Sequence, residues 1–437
     1  MHFAKLFTPL VLTVALVGAA CSESAPTKAT APVTTPASDG AAKCDTAVSV
    51  VACAPKGSSL AALMPKTATR ATGTPLVIGT INQDTGAAGA FPELTVADKV
   101  AVDFINTELN GVDGHPIKLL TCNTNFNADL SQSCAQQMVS DKVAAVVGGI
   151  DIWGTGIKTL ENNGIPYVGG IPVSFDAARS PVSFQFSGGT WGAVLGMGQY
   201  AVEKLHAKKI AVIYAEFGPI TDSANLGKRV LEAHGAKVTL VSVSAINADM
   251  VQALNTAAQA KPDAVIALTA DTGCVPTMQT AQQIGFKAPI MYTGACAAPK
   301  ILDAVGSAAD GSIFNLEADL DPKNPDRVLY MEIAKRYGPK YEYQAQSAGT
   351  VSFRAMVNLY SMLRKLGADN SNPAAILAAL RAAKDAPSFF GHPYTCNGKQ
   401  LTGYAAICSP QQTLGVLKQG KISQLTGWLD VQAFATH

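Results

Sequence analysis

The residues with the most obvious chemistry are the cysteines. There are nine, an odd number, so complete pairing within the chain would leave one over. Cys21 stands apart from the rest. The other eight fall into neighbouring couples, Cys44/Cys53, Cys122/Cys134, Cys274/Cys296 and Cys396/Cys408, with separations of 9, 12, 22 and 12 residues. In an oxidising compartment such couples become disulfides, and spacing favours pairing each with its neighbour, although sequence alone leaves the connectivity open. A metal site is the rival reading. It is not expected, because there is no C-x-x-C and no His at ligand spacing. Other catalytic signatures fail on inspection. The stretch Gly149–Thr159 looks like a phosphate loop until Lys158, which follows Ile157 and not Gly. No G-x-G-x-x-G follows the first expected strand, and neither G-x-S-x-G nor H-E-x-x-H occurs. Glu216 and Asp222 flank Phe217 but read as solvated carboxylates. A dispersed Ser/His/Asp triad stays open, since proximity in space is invisible here. Nothing in these residues speaks for catalysis, and neither a cofactor nor a metal is expected.

Cys21 has a context of its own. Lys5 precedes an apolar run, Leu6–Ala20, interrupted by Thr8, Pro9 and Thr13. Its length suits the hydrophobic region of an export signal better than a membrane span. The run ends Val17-Gly-Ala-Ala-Cys21, which resembles a bacterial lipobox with Cys21 as the lipidated residue. Ordinary cleavage after the small residues is the alternative. No later segment reaches 18 consecutive apolar residues, so membrane contact is expected through the lipid anchor only. The expected location is the outer face of the cell membrane or the periplasm.

The elements that must position any site follow from composition and periodicity. Hydrophobic residues make up 48% and charged residues 15% of the 437, enough apolar material for two or three cores. The formal charge of +1, with no basic run, excludes a nucleic-acid footprint. Residues 1–20 read as the signal peptide, and 21–74 as an anchored tether rich in Ala, Thr, Ser and Pro with a small Cys44/Cys53 loop. The folded body is expected from Pro75. There, short β-branched runs alternate with helical patterns. Leu76–Ile81, Ile117–Leu120, Ala144–Val147 and Tyr167–Val168 are strands, separated by helices over Leu94–Leu109, Asp129–Val139 and Thr155–Asn163. A second series has strands at Ile210–Tyr214, Val238–Val243, Ala264–Leu268 and Ile290–Tyr292 around helices at Ser223–His234, Met250–Ala260 and Val275–Ile284. Residues 176–190 read as a crossover between two lobes. A helical stretch over 326–383, broken at Gly367–Pro373, precedes a mostly β and irregular end. The fold class is therefore α/β, with parallel sheets covered by helices. Ligands of such sheets bind beyond the carboxyl ends of the strands, which selects the loops after Ile81, Val147, Val168, Tyr214, Leu268 and Tyr292.

An ordered series of segments carries a family likeness: Leu76-Val-Ile-Gly-Thr-Ile, Asp84-Thr-Gly86, Ile105-Asn106, Gly111-Val-Asp-Gly-His-Pro-Ile117, Val146-Val-Gly148, Gly164-Ile-Pro166, Ile210-Ala-Val-Ile-Tyr214, Pro262-Asp-Ala-Val265 and Ile284-Gly-Phe286. Together with the export signal, the chain over most of 75–385 resembles substrate-binding proteins of the branched-chain-amino-acid type from ABC transporters, which have the type I periplasmic-binding-protein fold. The resemblance implies a two-lobed clamshell joined by three crossovers. Its lobes would be 75–188 plus 319–385 and 189–318 plus 386–437. A small-molecule ligand would be trapped between them and delivered to an ABC permease. A sensor presenting its closed form to a receptor and a secreted hydrolase using the cleft are the alternatives.

The resemblance also nominates ligand-binding residues. Phe91 stands where the family has an aromatic after the first strand. In the loop after the third, Asp151, Trp153, Gly154 and Thr155 are the candidates, with Thr155 the nearest replacement for the family's hydroxyl. Ile171 and Ser174 match the next loop. In the second lobe the candidates are Phe217, Asp271 with Thr272, and Gly294. Gly294 stands where the family has the acid that accepts an amino group, so Asp271 is the candidate replacement. Asp151 has the competing reading of a helix cap. The ligand stays open between an amino acid, a related amide, a small organic acid and an aromatic molecule.

Overall fold

The structure is a computed structural model that describes residue 45 and residues 48–346 and 348–436. In the first lobe, β1 (Leu76–Asn82), α1 (Pro92–Glu108), β2 (Ile117–Asn123), α2 (Ala128–Ser140), β3 (Val146–Val147), α3 (Ile157–Asn162), β4 (Tyr167–Val168), α4 (Phe175–Arg179) and β5 (Ser183–Phe184) follow one another. The strands form an all-parallel sheet in the order β2-β1-β3-β4-β5. Both faces are covered, so neither shows a polar alternation. Ile78 and Val147 face a core shared with Val100 and Phe104 of α1. Ile81 and Val146 face the opposite core, with Met138 and Leu160.

The second lobe begins with α5 (Gly189–Glu203) and continues through β6 (Lys209–Glu216), α6 (Gly218–Ala233), β7 (Lys237–Ser244), α7 (Met250–Gln259), β8 (Ala264–Leu268), α8 (Asp271–Gln283), β9 (Ile290–Tyr292), α9 (Pro299–Val305) and β10 (Ile313–Asn315). The chain returns to the first lobe as α10 (Pro325–Tyr337), α11 (Gly349–Leu366) and α12 (Pro373–Arg381). It ends in β11 (Leu414–Lys418), β12 (Lys421–Gln424) and α13 (Val431–Thr436). The second sheet runs β12-β11-β10-β9-β8-β6-β7; β11 joins β10 antiparallel, and β12 joins β11 antiparallel. Along β6 the side chains alternate between two cores: Ile210 and Val212 with α5 and α6, Ala211 and Ile213 with α7 and α8.

Several elements lay outside the sequence reading: α4 and β5 within the stretch read as a crossover, α9 and α13, and, most informatively, α5 and β10. α5 is buried on nearly every side and carries five glycines among its first ten residues or at its N-cap, so it shows no amphipathic period. Close approach explains the ridge of Gly188, Gly192 and Gly196. A Cβ on any of them would come within 2.6 Å of the Gln412 side chain. β10 is three residues long, below what a run of apolar residues can signal. The helical stretch 326–383 is also interrupted earlier, between Tyr337 and Gly349.

The folded body begins before Pro75. Val50, Val51 and Leu60 enter the core of the first lobe. Glu108 accepts hydrogen bonds from Ser49 Oγ and the Val51 N–H, each at 2.9 Å. Asp326 accepts from Ser58 Oγ and the Ser59 N–H, each at 2.7 Å. Buried carboxylates that capture backbone donors hold this segment in place, although its composition reads as a tether. Similarly, Phe389, Phe390, Tyr394, Cys396 and Cys408 share the first lobe's core, whereas Tyr404 and Ile407 share the second's; the sequence reading places this whole segment in the second lobe. Cys122–Cys134, Cys274–Cys296 and Cys396–Cys408 are disulfides. Cys53 is disulfide-bonded, and its expected partner Cys44 lies outside the described residues, as do Cys21 and the signal segment.

Candidate functional site

Three chain crossovers connect the lobes, and their side chains meet at Glu317. The first runs through Phe186–Gly188, the second through Leu316–Ala318 and the third through Pro410–Thr413. Glu317 has a left-handed backbone, φ 49°. Its carboxylate accepts from the Gly188 N–H at 3.0 Å and from Gln412 Nε2 at 2.7 Å, and lies 3.9 Å from Arg354 Nη2. Arg354 in turn donates to the Glu317 and Phe186 carbonyls, so one buried guanidinium holds two crossovers. Burial pushes the Glu317 carboxyl up, against the pull of Arg354.

Above this knot lies a cavity of about 1190 Å³ including its open mouth. The loops at the carboxyl ends of both sheets wall it. On the first lobe, backbone packs on backbone where the loops leave β3 and β4. A Cβ on Gly149 (φ 83°) would lie 2.0 Å from the Ile81 carbonyl, and one on Gly170 (φ 84°) 2.5 Å from the Gly149 carbonyl. These positions require glycine. Asn82 stitches the loops together, its Oδ1 accepting from the Ile150 N–H at 2.8 Å and its Nδ2 donating to the Phe91 carbonyl at 2.8 Å.

The candidates divide. Phe91, Ile171, Phe217, Thr272 and Gly294 line the cavity. Asp151, Trp153, Gly154, Thr155, Ser174 and Asp271 are not among its lining residues. Asp151 is buried and accepts from Ser131 Oγ of α2 at 2.6 Å; burial raises its pKa, and Ser131 with the N–H groups of Gly154 and Trp153 opposes that rise. Thr155 Oγ1 donates to the Ala128 carbonyl at 2.6 Å. Ser174 caps α4, accepting from the Ala177 N–H at 3.2 Å, and a Cβ on Gly154 would sit 2.2 Å from its Oγ. These four hold loops in shape. Trp153 is 39% exposed and packs beside two lining residues, Phe126 and Phe217. Its indole N–H donates to the Phe126 carbonyl at 3.0 Å, and its ring meets Phe126 at 5.6 Å and, edge-on, Phe217 of the other lobe at 5.2 Å.

Asp271 acts between the lobes. Its Oδ1 accepts from the Ala90 N–H at 3.3 Å, and its Oδ2 lies 3.6 Å from Lys300 Nζ. With the Trp153–Phe217 edge contact, this describes lobes in touch across the cleft. Glu93, in the first turn of α1, faces the same junction. Desolvation pushes its carboxyl up to about 7, Asp271 and Asp84 push the same way, and its own N–H and Lys300 oppose.

The sequence reading missed the lining from edge strands: Phe126 after β2, and Val243, Ala245 and Ala248 around the end of β7. The strand-end rule that selected the central loops would have found them had it been applied to β2 and β7. Glu317 had no signal, since a crossover has no period. Among the described residues, no group of three or more His, Cys, Asp or Glu could hold a metal ion, and no helix is long and apolar enough to cross a membrane.

The family model described as periplasmic binding protein matches residues 75–411. The chain belongs to the periplasmic binding protein family. Its parallel two-lobed architecture is the type I form. Solved structures share the fold at low identity. A leucine-binding protein of Thermotoga maritima is 16% identical, with 80% of this chain and 98% of that one covered and a TM-score of 0.66. A fatty acid ABC transporter substrate-binding protein of Thermomonospora curvata is 17% identical, with coverage of 84% and 96% and a TM-score of 0.69. A solute-binding protein of R. palustris, solved with benzoate, is 18% identical, with coverage of 81% and 96% and a TM-score of 0.67. No curated protein matches.

Proposed function

We propose that this periplasmic binding protein captures a small molecule between its lobes and delivers it to an ABC permease, acting as a binder and not as an enzyme. The observation that carries the reading is the cavity walled by strand-end loops from both lobes, with the lobes joined by three crossovers and touching at Asp271–Ala90 and Trp153–Phe217. Such a chamber can open and close around a ligand. The lobe division belongs to the same proposal, with residues 48–74 and the segment around Phe389–Cys396 going with the first lobe and the hinge at Glu317. Phe91, Ile171, Phe217, Thr272 and Gly294 would touch the ligand, while Trp153 would cover it.

Two measurements test the reading. Mass spectrometry of protein incubated with extracts of its natural source is expected to find a retained small molecule. Small-angle scattering is expected to show a smaller radius of gyration with that molecule bound. Absence of any retained molecule, with no change in scattering, refutes the reading. Anchoring through Cys21 is tested separately. Two acyl chains hold a protein to a membrane where one is marginal, so Cys21→Ala is expected to move the protein to the soluble fraction. A variant that stays on the membrane refutes the lipid anchor.

A further inference from the structure

The lining of the cavity says which ligand chemistry it can take. Among the lining residues, Glu317 is the only one with an ionisable side chain. Its carboxylate is already engaged by the Gly188 N–H, Gln412 and Arg354, so its charge is spent within the hinge. No Lys or Arg lines the cavity to meet a carboxylate or phosphate. Gly294 has no side chain to receive an ammonium, and one there would begin 2.7 Å from the Asn315 carbonyl. Asp271, the nearest acid at those strand ends, is turned to Ala90 and Lys300.

Most of the polar side chains that remain are occupied. Thr190 Oγ1 pairs with Ser223 Oγ at 2.7 Å, Thr269 Oγ1 donates to the Ala270 carbonyl at 3.2 Å, and Thr293 Oγ1 donates to the Thr269 carbonyl at 2.8 Å. Ser244 Oγ accepts from the Ile246 and Asn247 N–H groups, and Asn315 Nδ2 donates to Gln412 Oε1. Between these lie apolar walls, with Phe91, Ile150 and Val173 on one lobe facing Ala270 and Ala295 on the other in one hydrophobic cluster.

A charged group placed here would lose its hydration and find no counter-charge. A hydrocarbon would lose only water-exposed area. Resting on the solute-binding function proposed above, we infer that the ligand is an uncharged, mainly hydrocarbon molecule carrying at most a hydroxyl or carbonyl oxygen. Free amino acids and organic acid anions are excluded from the class.

The test uses the full chain carrying Cys21→Ala, so that neither acyl chain nor detergent competes. The neutral probe N-phenyl-1-naphthylamine brightens in apolar surroundings. Its binding is followed in this protein and in the same protein with Ala245→Phe, which fills part of the cavity from a half-buried position. Octan-1-ol, octanoate, octylamine and leucine then compete at pH 7.5, where the last three are charged. The inference expects probe affinity to fall at least fivefold in Ala245→Phe, and octan-1-ol to displace the probe at a tenfold or greater lower concentration than any charged competitor. Displacement by octanoate, octylamine or leucine as effective as by octan-1-ol overturns the ligand class and leaves the solute-binding function standing. Equal probe binding by both proteins overturns the ligand class too. The binding function itself falls only if no molecule is retained from extracts and the scattering does not change.

Discussion

Glu93 is the carboxylate whose titration bears most directly on the junction between the lobes. Its pKa stands at about 7 against an ordinary 4.5 because its surroundings disfavour the charged form. The sign follows from proton uptake: the folded, closed protein holds this proton more tightly than an open or unfolded chain. The stabilisation is therefore complete below about pH 4.5 and lost as pH rises through about 7. Glu93→Gln removes the titration. Thermal melts of both proteins at pH 5 and pH 8 are expected to show the variant gaining about 1–2 kcal/mol relative to wild type at the higher pH; parallel pH profiles contradict this. Glu317 makes a different prediction, since removing one partner leaves Arg354 buried without its counter-charge. Glu317→Ala is expected to cost about 3–5 kcal/mol in denaturant unfolding. At this scale the sequence was only partly legible. The strand-end rule selected the loops, the family likeness nominated Phe91, Ile171 and Phe217 in them, and all three line the cavity. Neither said where Ser174, Thr155 or Asp151 point. Each has backbone donors or acceptors within reach, and a capping bond is as available to such a side chain as a ligand.

The helices and strands were the most legible level where apolar runs had a clear period. β1, β6 and β8 are short β-branched segments buried on both faces, and α1 shows its stripe of Val100, Phe104 and Ile105. α5 escaped because a helix buried all round has no polar face to mark its period. Residues 48–74 escaped because composition cannot show that Glu108 and Asp326 wait to receive their N–H groups. Local cysteine spacing does agree with Cys122–Cys134, Cys274–Cys296 and Cys396–Cys408. Cys274–Cys296 ties the first turn of α8 to the segment carrying Gly294, two neighbouring parts of the cavity wall. Closing a loop of 22 residues is worth about 3 kcal/mol in the chain-entropy account. Replacing both cysteines by Ala is expected to lower unfolding stability by that order. Hydrogen exchange is expected to quicken first at residues 271–297. Uniform quickening across both lobes contradicts a local brace.

On the scale of the whole molecule, the hinge and the floor of the cavity share residues, because Ser187 and Glu317 line the chamber and themselves lie in the crossovers. Anything pressing on the floor therefore presses on the joint. The mouth has a further consequence. The chain holds three tryptophans, each in a different setting. Trp191 is sealed in the second lobe's core, Trp428 lies against His392, and Trp153 touches Phe217 across the gap. Trp153 changes its surroundings when the lobes part, because Phe217 belongs to the other lobe. The protein thus carries a built-in optical gauge of its own aperture. With Trp191 and Trp428 replaced by Phe, emission from Trp153 is expected to shift to the red as the lobes separate and back to the blue as a ligand draws them together. An attached dye would be unnecessary, and a spectrum unchanged between the two states would mean that the indole does not follow the opening.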